Sequence, residues 1–408
     1  MVFNKRGVTL PKYSFYLNGI KISVTDQYQY LGLKLKPSGM LQTAVEELHD
    51  KATRAWFGIS NIVYKNVRME SKKVFGIFDA LVTPVALYSC EFWTPYLISK
   101  SSFTSSEKLL DAWGTLKAET LNQKCSRMIL SVHNKASRLA VLGELGRYPL
   151  FTKSISQCLN YKYHLMLNKT SSSLMYHVYK EMKLMASTGQ DCWLTRVNKI
   201  EELLNIRGGC SLRNKKGVLT TVKSKFDAYW LNKINEFRGS TNDDYDHNKL
   251  RLYKQFKASF SKEPYIDFTR NRNQRSYLTR LRVSAHSLAI ESGRRARPIV
   301  PISERICSFC RSLHECSLPN QTAICKSCAV DDEVHFLTIC PRFENTRSVF
   351  YSVIESNMPG FKEKKDDHKF LTLVCPTSPQ IAKTVNRYIR FMFEQREKIV
   401  AGENLYNL

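Results

Sequence analysis

The sequence predicts a mainly α protein: an N-terminal β-hairpin region, a long helical body, a small Cys/His zinc module and C-terminal helices. Three observations carry that prediction. Asn18-Gly19 joins two segments of alternating polarity near the start, apolar residues recur every three or four positions from about residue 43 onward, and six of the twelve cysteines fall between positions 307 and 340.

Taken in order, "YSFYLNGIKISV" alternates polar and apolar residues about Asn18-Gly19, the strongest short signal for a type I′ hairpin turn. "YQYLGLKL" follows as a further strand candidate. Strands this short bury too little to stand alone, so they read as the edge of a larger sheet whose remainder is missing. After Gly39 the period becomes helical. Thr43 with Glu46 reads as a capping box, and Val45, Leu48, Ala52, Ala55, Ile59 and Ile62 share one face. A second helix is predicted from about Ser71 to Val82, where Pro84 interrupts it. Helices of ordinary length then run to about residue 300, separated by "GELGRYP", "STGQD", "IRGGCS" and "RGSTNDDYD". After Cys340 come two helical patterns, "NTRSVFYSVIESN" and "IAKTVNRYIRFMFEQREKIV", with the charged, solvated loop "KEKKDDHK" between them. The resulting segments are 1–38, 39–135, 136–300, 301–345 and 346–408.

Charge points to the partner. Lys and Arg outnumber Asp and Glu 62 to 36, a formal net charge of +26 over 408 residues. Such an excess repels itself unless a polyanion is near, so RNA or DNA is the expected partner, with no small-molecule substrate. The N-terminus has no apolar core of signal-peptide length, and the oiliest stretch, "ALVTPVALYSCEFW", is broken by Thr83 and Pro84. Neither secretion nor a membrane span is expected, and an intracellular location, cytoplasm or nucleus, follows. Cysteines in a reducing compartment stay free or bind metal. Cys90, Cys125, Cys158, Cys192, Cys210 and Cys375 stand apart and read as packing residues.

The clustered cysteines read as a zinc site. Zinc takes four N or S ligands in a tetrahedron, and a CxxC pair grips it from one tight turn. Two such pairs, Cys307 with Cys310 and Cys325 with Cys328, are followed by His335-x4-Cys340. Joining Cys325 and Cys328 to His335 and Cys340 closes a loop of 6 residues, whereas Cys307 and Cys310 close one of 24. The entropy difference favours the short loop by only ~1.2 kcal/mol. A third arrangement adds His314 and Cys316 and holds two zinc ions. His335 and Cys340 belong to all three. The adjacent Asp331 and Asp332 read as a solvated turn between the halves of this module, as do Asp243-Asp244 and Asp366-Asp367 in their own loops. His314, His335 and His368 are too scattered for a His-Asn-His nuclease.

Upstream, "FTRNRNQRSYLTRLRVSAHSLAIESGRRARPIV" carries Arg270, Arg272, Arg275, Arg280, Arg282, Arg294, Arg295 and Arg297 against a single acid, Glu291. Leu278, Leu281, Ala285 and Leu288 put an apolar face on one helix ending at Gly293, from whose flank Arg275 and Arg282 project. Arginine suits bidentate contact with phosphate, and the local shortage of acids leaves these eight for nucleic acid. His286 reads as a hydrogen-bonded, half-buried histidine.

The order "FYLNGIKISVTDQYQYLGLKL", "FDALVTPVALYSCEFW", "LAVLGELGRYPL", "EPYIDFTRNRNQRSYLTRLRVSAHSLAIESGRR", "ERICSFC" and "DDEVHFLTICP" resembles the C-terminal half of the reverse transcriptase of non-LTR (LINE-type) retrotransposons, over essentially the whole chain. The resemblance implies that Tyr30, Leu31 and Gly32 close a palm edge, that Pro84, Tyr88, Glu91 and Trp93 belong to a thumb, and that a helical connector leads to a terminal zinc knuckle and tail. "ERIC" favours Cys307 and Cys310 as the knuckle's first half by flanking residues, and Cys325 and Cys328 by spacing. The family's paired catalytic aspartates and endonuclease lie upstream of the position that Met1 matches. Polymerisation needs carboxylates holding two metal ions, so this chain alone is expected to be inactive and to bind no Mg2+, its role being zinc-supported binding of RNA or DNA. The alternative is a zinc-stabilised scaffold or protein-interaction module.

Overall fold

Asn18 and Gly19 both adopt positive φ, 50° and 79°, the type I′ geometry that their sequence predicts. In the computed structural model they join β1 (Phe15–Leu17) to β2 (Ile20–Ile22), with Leu17 opposite Ile20. A second antiparallel hairpin, β3 (Tyr28–Tyr30) with β4 (Leu33–Leu35), turns on Leu31 and Gly32, again at positive φ. The hairpins are two separate two-stranded sheets. The structure describes residues 3, 14–39, 41–98, 100–167, 170, 172–206, 215–236, 249–313 and 329–400. Beyond the hairpins these residues are mainly helical, as the sequence predicts, and no helix among them is long and apolar enough to cross a membrane.

The Gln42–Lys65 helix buries Ala44, Val45, Leu48, Ala52, Trp56 and Val63. Thr43 lies within its first turn, so it is not a cap, and Ala55, Ile59 and Ile62 are half-buried or exposed. The stripe drifts because 3.6 residues per turn do not keep a fixed 3-4 spacing in register over 24 residues. The next helix spans Ser71–Leu81, and Pro84 enters a separate short turn, Thr83–Ala86, where its missing N–H costs nothing.

The chain divides into two compact units, each built from three separated stretches, so neither coincides with one of the consecutive segments read from the sequence. Unit 1 comprises Met1–Asn61, Phe75–Asn122 and Tyr148–Tyr229. Here the Cys90–Leu97 helix packs on Leu150–Leu167, and Trp193–Leu203 packs on both. Cys90, Trp93 and Cys158 are fully buried between them. The Trp93 indole donates to the Tyr88 carbonyl (2.9 Å) and that of Trp193 to the Glu91 carbonyl (2.7 Å), so both large rings enter the core with their one polar atom satisfied. Buried Glu119 accepts from the Phe151 amide (2.8 Å) at the start of the Leu150–Leu167 helix, where a carboxylate is favoured by the helix dipole.

Unit 2 comprises Ile62–Val74, Gln123–Arg147 and Trp230–Leu408. Its spine is the Pro379–Val400 helix, which buries Ile381, Ala382, Val385, Tyr388, Ile389, Met392 and Phe393 on one face. The helices Arg272–Arg282 and Glu344–Asn357 pack against it. The arginine-rich segment is two helices, not one. Ser284, at φ 51°, ends the first, with Ala285 N bonded to Arg280 O and Ser284 N to Leu281 O, a Schellman motif with serine in the left-handed position. Gly293 is not a cap. It lies inside the second helix, Ala289–Arg295, where an added Cβ would sit 2.8 Å from Arg305 Cγ; the glycine is there for close approach. "GELG" likewise is not a loop: Arg138–Leu145 is a helix with Gly143, Glu144 and Leu145 buried, and Gly146 at φ 56° closes it. At Gly143 an added Cβ would lie 2.5 Å from Trp230 Cζ2 and 2.8 Å from Tyr253 Oη, both fully buried rings. Gly143→Ala is therefore expected to cost about 1–3 kcal/mol through overpacking, read as a lower urea midpoint with an unchanged slope.

Candidate metal centre

Among the described residues, one group of Cys, His and acidic side chains is close enough to hold a metal ion: Cys307, Cys310, His335 and Cys340, all buried, with donor atoms within 4.8 Å of one another. Cys307 Sγ and Cys310 Sγ lie 3.9 and 4.0 Å from Cys340 Sγ, and Cys310 Sγ lies 3.3 Å from His335 Nε2. These separations exclude a disulfide, whose sulfurs stand about 2.05 Å apart. They are close to the edges of a tetrahedron about a zinc ion, about 3.8 Å between sulfurs and about 3.5 Å between sulfur and nitrogen for bonds of about 2.3 and 2.0 Å. The donor set fits a metal with four soft or borderline ligands and leaves no fifth group for substrate.

Local structure explains how each ligand arrives. Cys307 and Cys310 flank the start of the Ser308–Leu313 helix, the tight turn that CxxC provides. His335–Ile339 is a π-helical turn, closed by Cys340 N to His335 O at 2.8 Å. In an α-helix, residues five apart point about 140° away from each other; the i to i+5 bond of a π-turn brings them together, which is what His-x4-Cys requires. Asp332 starts this turn by accepting from His335 N (2.8 Å). The halves meet through the antiparallel bridge Ile306↔Val330, with Cys307 N bonded to Ala329 O (3.0 Å) and Asp331 N to Arg305 O (2.8 Å).

Of the pairings open in the sequence, the described residues assemble the one with the longer loop. At about 1 kcal/mol net per backbone hydrogen bond, the ladder beside Cys307 outweighs the small entropic preference for the shorter one. His314, Cys316, Cys325 and Cys328 lie outside the described residues, as do Cys210 and Asp243-Asp244.

The surroundings are buried and paired. Phe309 and Phe336 pack edge-on against Phe343, and the Arg396 guanidinium lies over Phe309 at 5.0 Å. Arg396 grips Asp331 with two nitrogens (3.2 and 2.6 Å), and Asp331 also accepts from Ala289 N (2.7 Å). Asp331 is fully buried, which corrects the expectation of a solvated turn: its carboxylate anchors three segments beside the quartet. Asp366 and Asp367 are exposed at the start of the Asp366–Val374 helix, which replaces the second half of the expected loop. Within the quartet, the contact between Cys307 and Cys340 holds the Cys307 thiol well below the usual thiol range and pushes Cys340 up. A cation bound by the quartet would take both sulfurs as thiolates. His335 Nδ1 is buried with no hydrogen-bond partner among the described residues.

The arginines divide sharply. Arg272 donates to the Val63 and Tyr64 carbonyls, Arg275 to those of Thr269, Arg270 and Ile129, and Arg282 to Glu144, Glu263 and the Val374 carbonyl. These three are buried. They hold the unit together and reach no phosphate, contrary to the expectation that Arg275 and Arg282 project from a flank. The count of nearby acids failed because Glu144 is 138 residues from Arg282. Arg270, Arg295 and Arg297 are exposed, and Arg280 and Arg294 half-buried. His286 is hydrogen-bonded as expected, Nε2 to Glu333 Oε1 at 3.0 Å, but it is buried.

Compared with protein-family models, curated proteins and solved structures, the chain matches none of them. What it does therefore rests on its own residues. Tyr88 Oη donates to the Leu31 carbonyl (2.8 Å), and its ring lies 3.4 Å from where a Cβ on Gly32 would stand, so two segments singled out in the sequence touch within unit 1. Cys90, Cys125, Cys158 and Cys192 are buried and Cys375 is half-buried, the packing role expected of them.

Proposed function

We propose that this chain corresponds to the part of a non-LTR retrotransposon reverse transcriptase that follows the catalytic turn, and that it binds RNA or DNA on a basic surface kept in shape by zinc at Cys307, Cys310, His335 and Cys340. The observation that carries the reading is the charge: +26 on a folded chain needs a polyanion nearby. The ordered sequence blocks, the meeting of Tyr88 with the Leu31-Gly32 turn and the fit of the quartet to four zinc ligands support it. With four protein donors the metal is structural and no catalytic step is assigned to it. Asp331, engaged by Arg396, is no metal-holding carboxylate.

Binding through phosphates releases counterions, so affinity is tied to salt. If about five phosphates of a single strand are neutralised, log Kd should rise with a slope of about 3.5 against log salt, roughly a hundredfold loss between about 50 and 200 mM. Fluorescence anisotropy with a labelled oligonucleotide reads it directly. A second reading, a zinc-stabilised scaffold without a nucleic-acid role, is favoured by the burial of Arg272, Arg275 and Arg282. No oligonucleotide binding even at low salt, with the metal and the fold intact, would select it.

A further inference from the structure

The cations of unit 2 fall into two kinds. Arg251, Arg282, Arg347 and Arg396 each grip a carboxylate. Lys135, Lys249, Arg280, Arg295 and Arg297 have none within ion-pair distance among the described residues, and they line two adjoining hollows. The first, about 420 Å³, is bounded by His133, Lys135, Tyr277, Arg280, His286 and Arg295, with Glu397 the one acid among the described residues of its wall. The second, about 700 Å³, shares Lys135 and Arg295 and adds Lys249, Arg294 and Arg297, with no acid among the described residues of its wall. Glu291 pairs with Arg294 behind it.

Three observations on the described residues say that this surface lacks a ligand, and two of them that the ligand is an anion. Two of its arginines spend their bonds on carbonyls: Arg280 Nε on Ser131 O (3.3 Å), Arg295 on His286 O (3.0 Å) and Glu291 O (3.1 Å), which neutralises no charge. His286, more than nine-tenths buried, donates Nε2–H to Glu333, which leaves Nδ1 an acceptor with no partner among the described residues; an orphaned buried acceptor on a residue of the hollow's wall calls for a donor, as a base N–H or a ribose hydroxyl would be. And the cations disturb each other. Burial pushes Lys249 down to about 8, with Glu291 opposing the fall and Arg294, Arg295 and Arg127 adding to it, and burial with Arg295, Lys249 and Arg280 lowers His133.

The remaining wall is flat and apolar. Tyr277 stacks on Phe393, with centroids 5.6 Å apart and planes 24° from parallel, and the Arg280 guanidinium lies 5.4 Å over Tyr277. Cations along a hollow beside an aromatic-guanidinium platform suit a strand whose bases are free to stack. A duplex carries its phosphates on the outside of a stiff rod and meets a hollow only at its rim.

We propose that the joined hollows seat one single-stranded segment of RNA or DNA, with successive phosphates over Lys135 and Arg295 and then Lys249 and Arg297, and a base against the Arg280–Tyr277 platform. The seat rests on the nucleic-acid reading above and makes it specific. The test is anisotropy with the full-length, zinc-loaded chain and labelled single strands of about 15 nucleotides, RNA and DNA in separate arms, beside the corresponding duplex. Lys135→Ala/Arg295→Ala should weaken single-strand binding by about thirtyfold and reduce the salt slope by about 1.4, two phosphates' worth. Lys362→Ala/Lys365→Ala, which removes as much charge elsewhere on the surface, should change it less than about threefold. Both variants should keep the wild-type thermal transition. The arm bound more tightly identifies the strand. Equal binding by wild type and Lys135→Ala/Arg295→Ala would overturn the seat and leave the nucleic-acid reading standing; no binding by wild type would end both; a duplex bound as tightly as the single strand would overturn the single-strand assignment.

Discussion

Stripping the metal from the Cys307–Cys310–His335–Cys340 quartet is expected to lower the stability of the chain by at least about 3 kcal/mol. Structural zinc sites bind with apparent free energies of about 10–16 kcal/mol at neutral pH, so zinc at about 10 μM exceeds the dissociation constant by about two-hundredfold or more, and ligand that binds only the folded state stabilises by RT ln(1 + [L]/Kd). For a unit of this size that is a fall in Tm of about 6–12 °C. Chelation should also make three thiols, those of Cys307, Cys310 and Cys340, newly reactive, and Co2+ in zinc's place should show the absorption of a tetrahedral site with three sulfur ligands and one nitrogen. The sign with pH follows from the ligands: each must be deprotonated to bind, so metal is held at neutral pH and released as pH falls. Cys340→Ser should reproduce the loss without chelator. An unchanged melting curve together with an unchanged thiol count after chelation would remove the metal from the account.

How much of this was legible depends on the distance over which each feature is decided. Asn18-Gly19 fixes its own turn, and the Pro379–Val400 helix announces itself through a stripe of apolar residues repeated over 22 positions; both needed only local spacing. His335 and Cys340 were readable for the same reason. The choice of Cys307 and Cys310 was not, because the deciding term is the backbone ladder between residues 305–307 and 329–331, which no single stretch of sequence displays. The arginines were misread for a related reason. A helix face with no acid nearby looks solvated until the fold delivers Glu144 and Glu263 to Arg282 and backbone carbonyls to Arg272 and Arg275. Lys135, Lys249 and His133, which line the basic hollows, were not singled out at all: each is one ordinary polar residue in a connecting segment, and only the fold gathers them.

Arg282→Ala is expected to cost about 3–5 kcal/mol, the second large effect, because it strands buried carboxylates. The Arg282 and Glu144 side chains have no exposed surface. Nε and Nη2 bond the two oxygens of Glu144 at 2.8 and 2.9 Å, Nη2 also reaches Glu263 (2.6 Å) and Nη1 the Val374 carbonyl (2.6 Å), while the Tyr265 hydroxyl donates to Glu144 (2.7 Å). Burial works against the guanidinium's charge, but Glu144 and Glu263 outweigh it and hold its proton firmly. Lysine cannot substitute, since one ammonium cannot reproduce a planar fork that serves three acceptors. A paired change, Arg282→Met with Glu144→Leu, should cost markedly less than the sum of the single changes, because the penalty lies in the unpaired charge and not in the loss of attraction. Urea denaturation of the four proteins of this cycle measures the coupling. If Arg282→Ala instead behaves like a surface substitution, within about 0.5 kcal/mol of wild type, the buried cluster is not the keystone of unit 2. The same variant separates structure from recognition: at temperatures where Arg282→Ala remains folded, its affinity for a single strand should equal that of the wild type, whereas loss of Lys135 and Arg295 should weaken binding without touching stability.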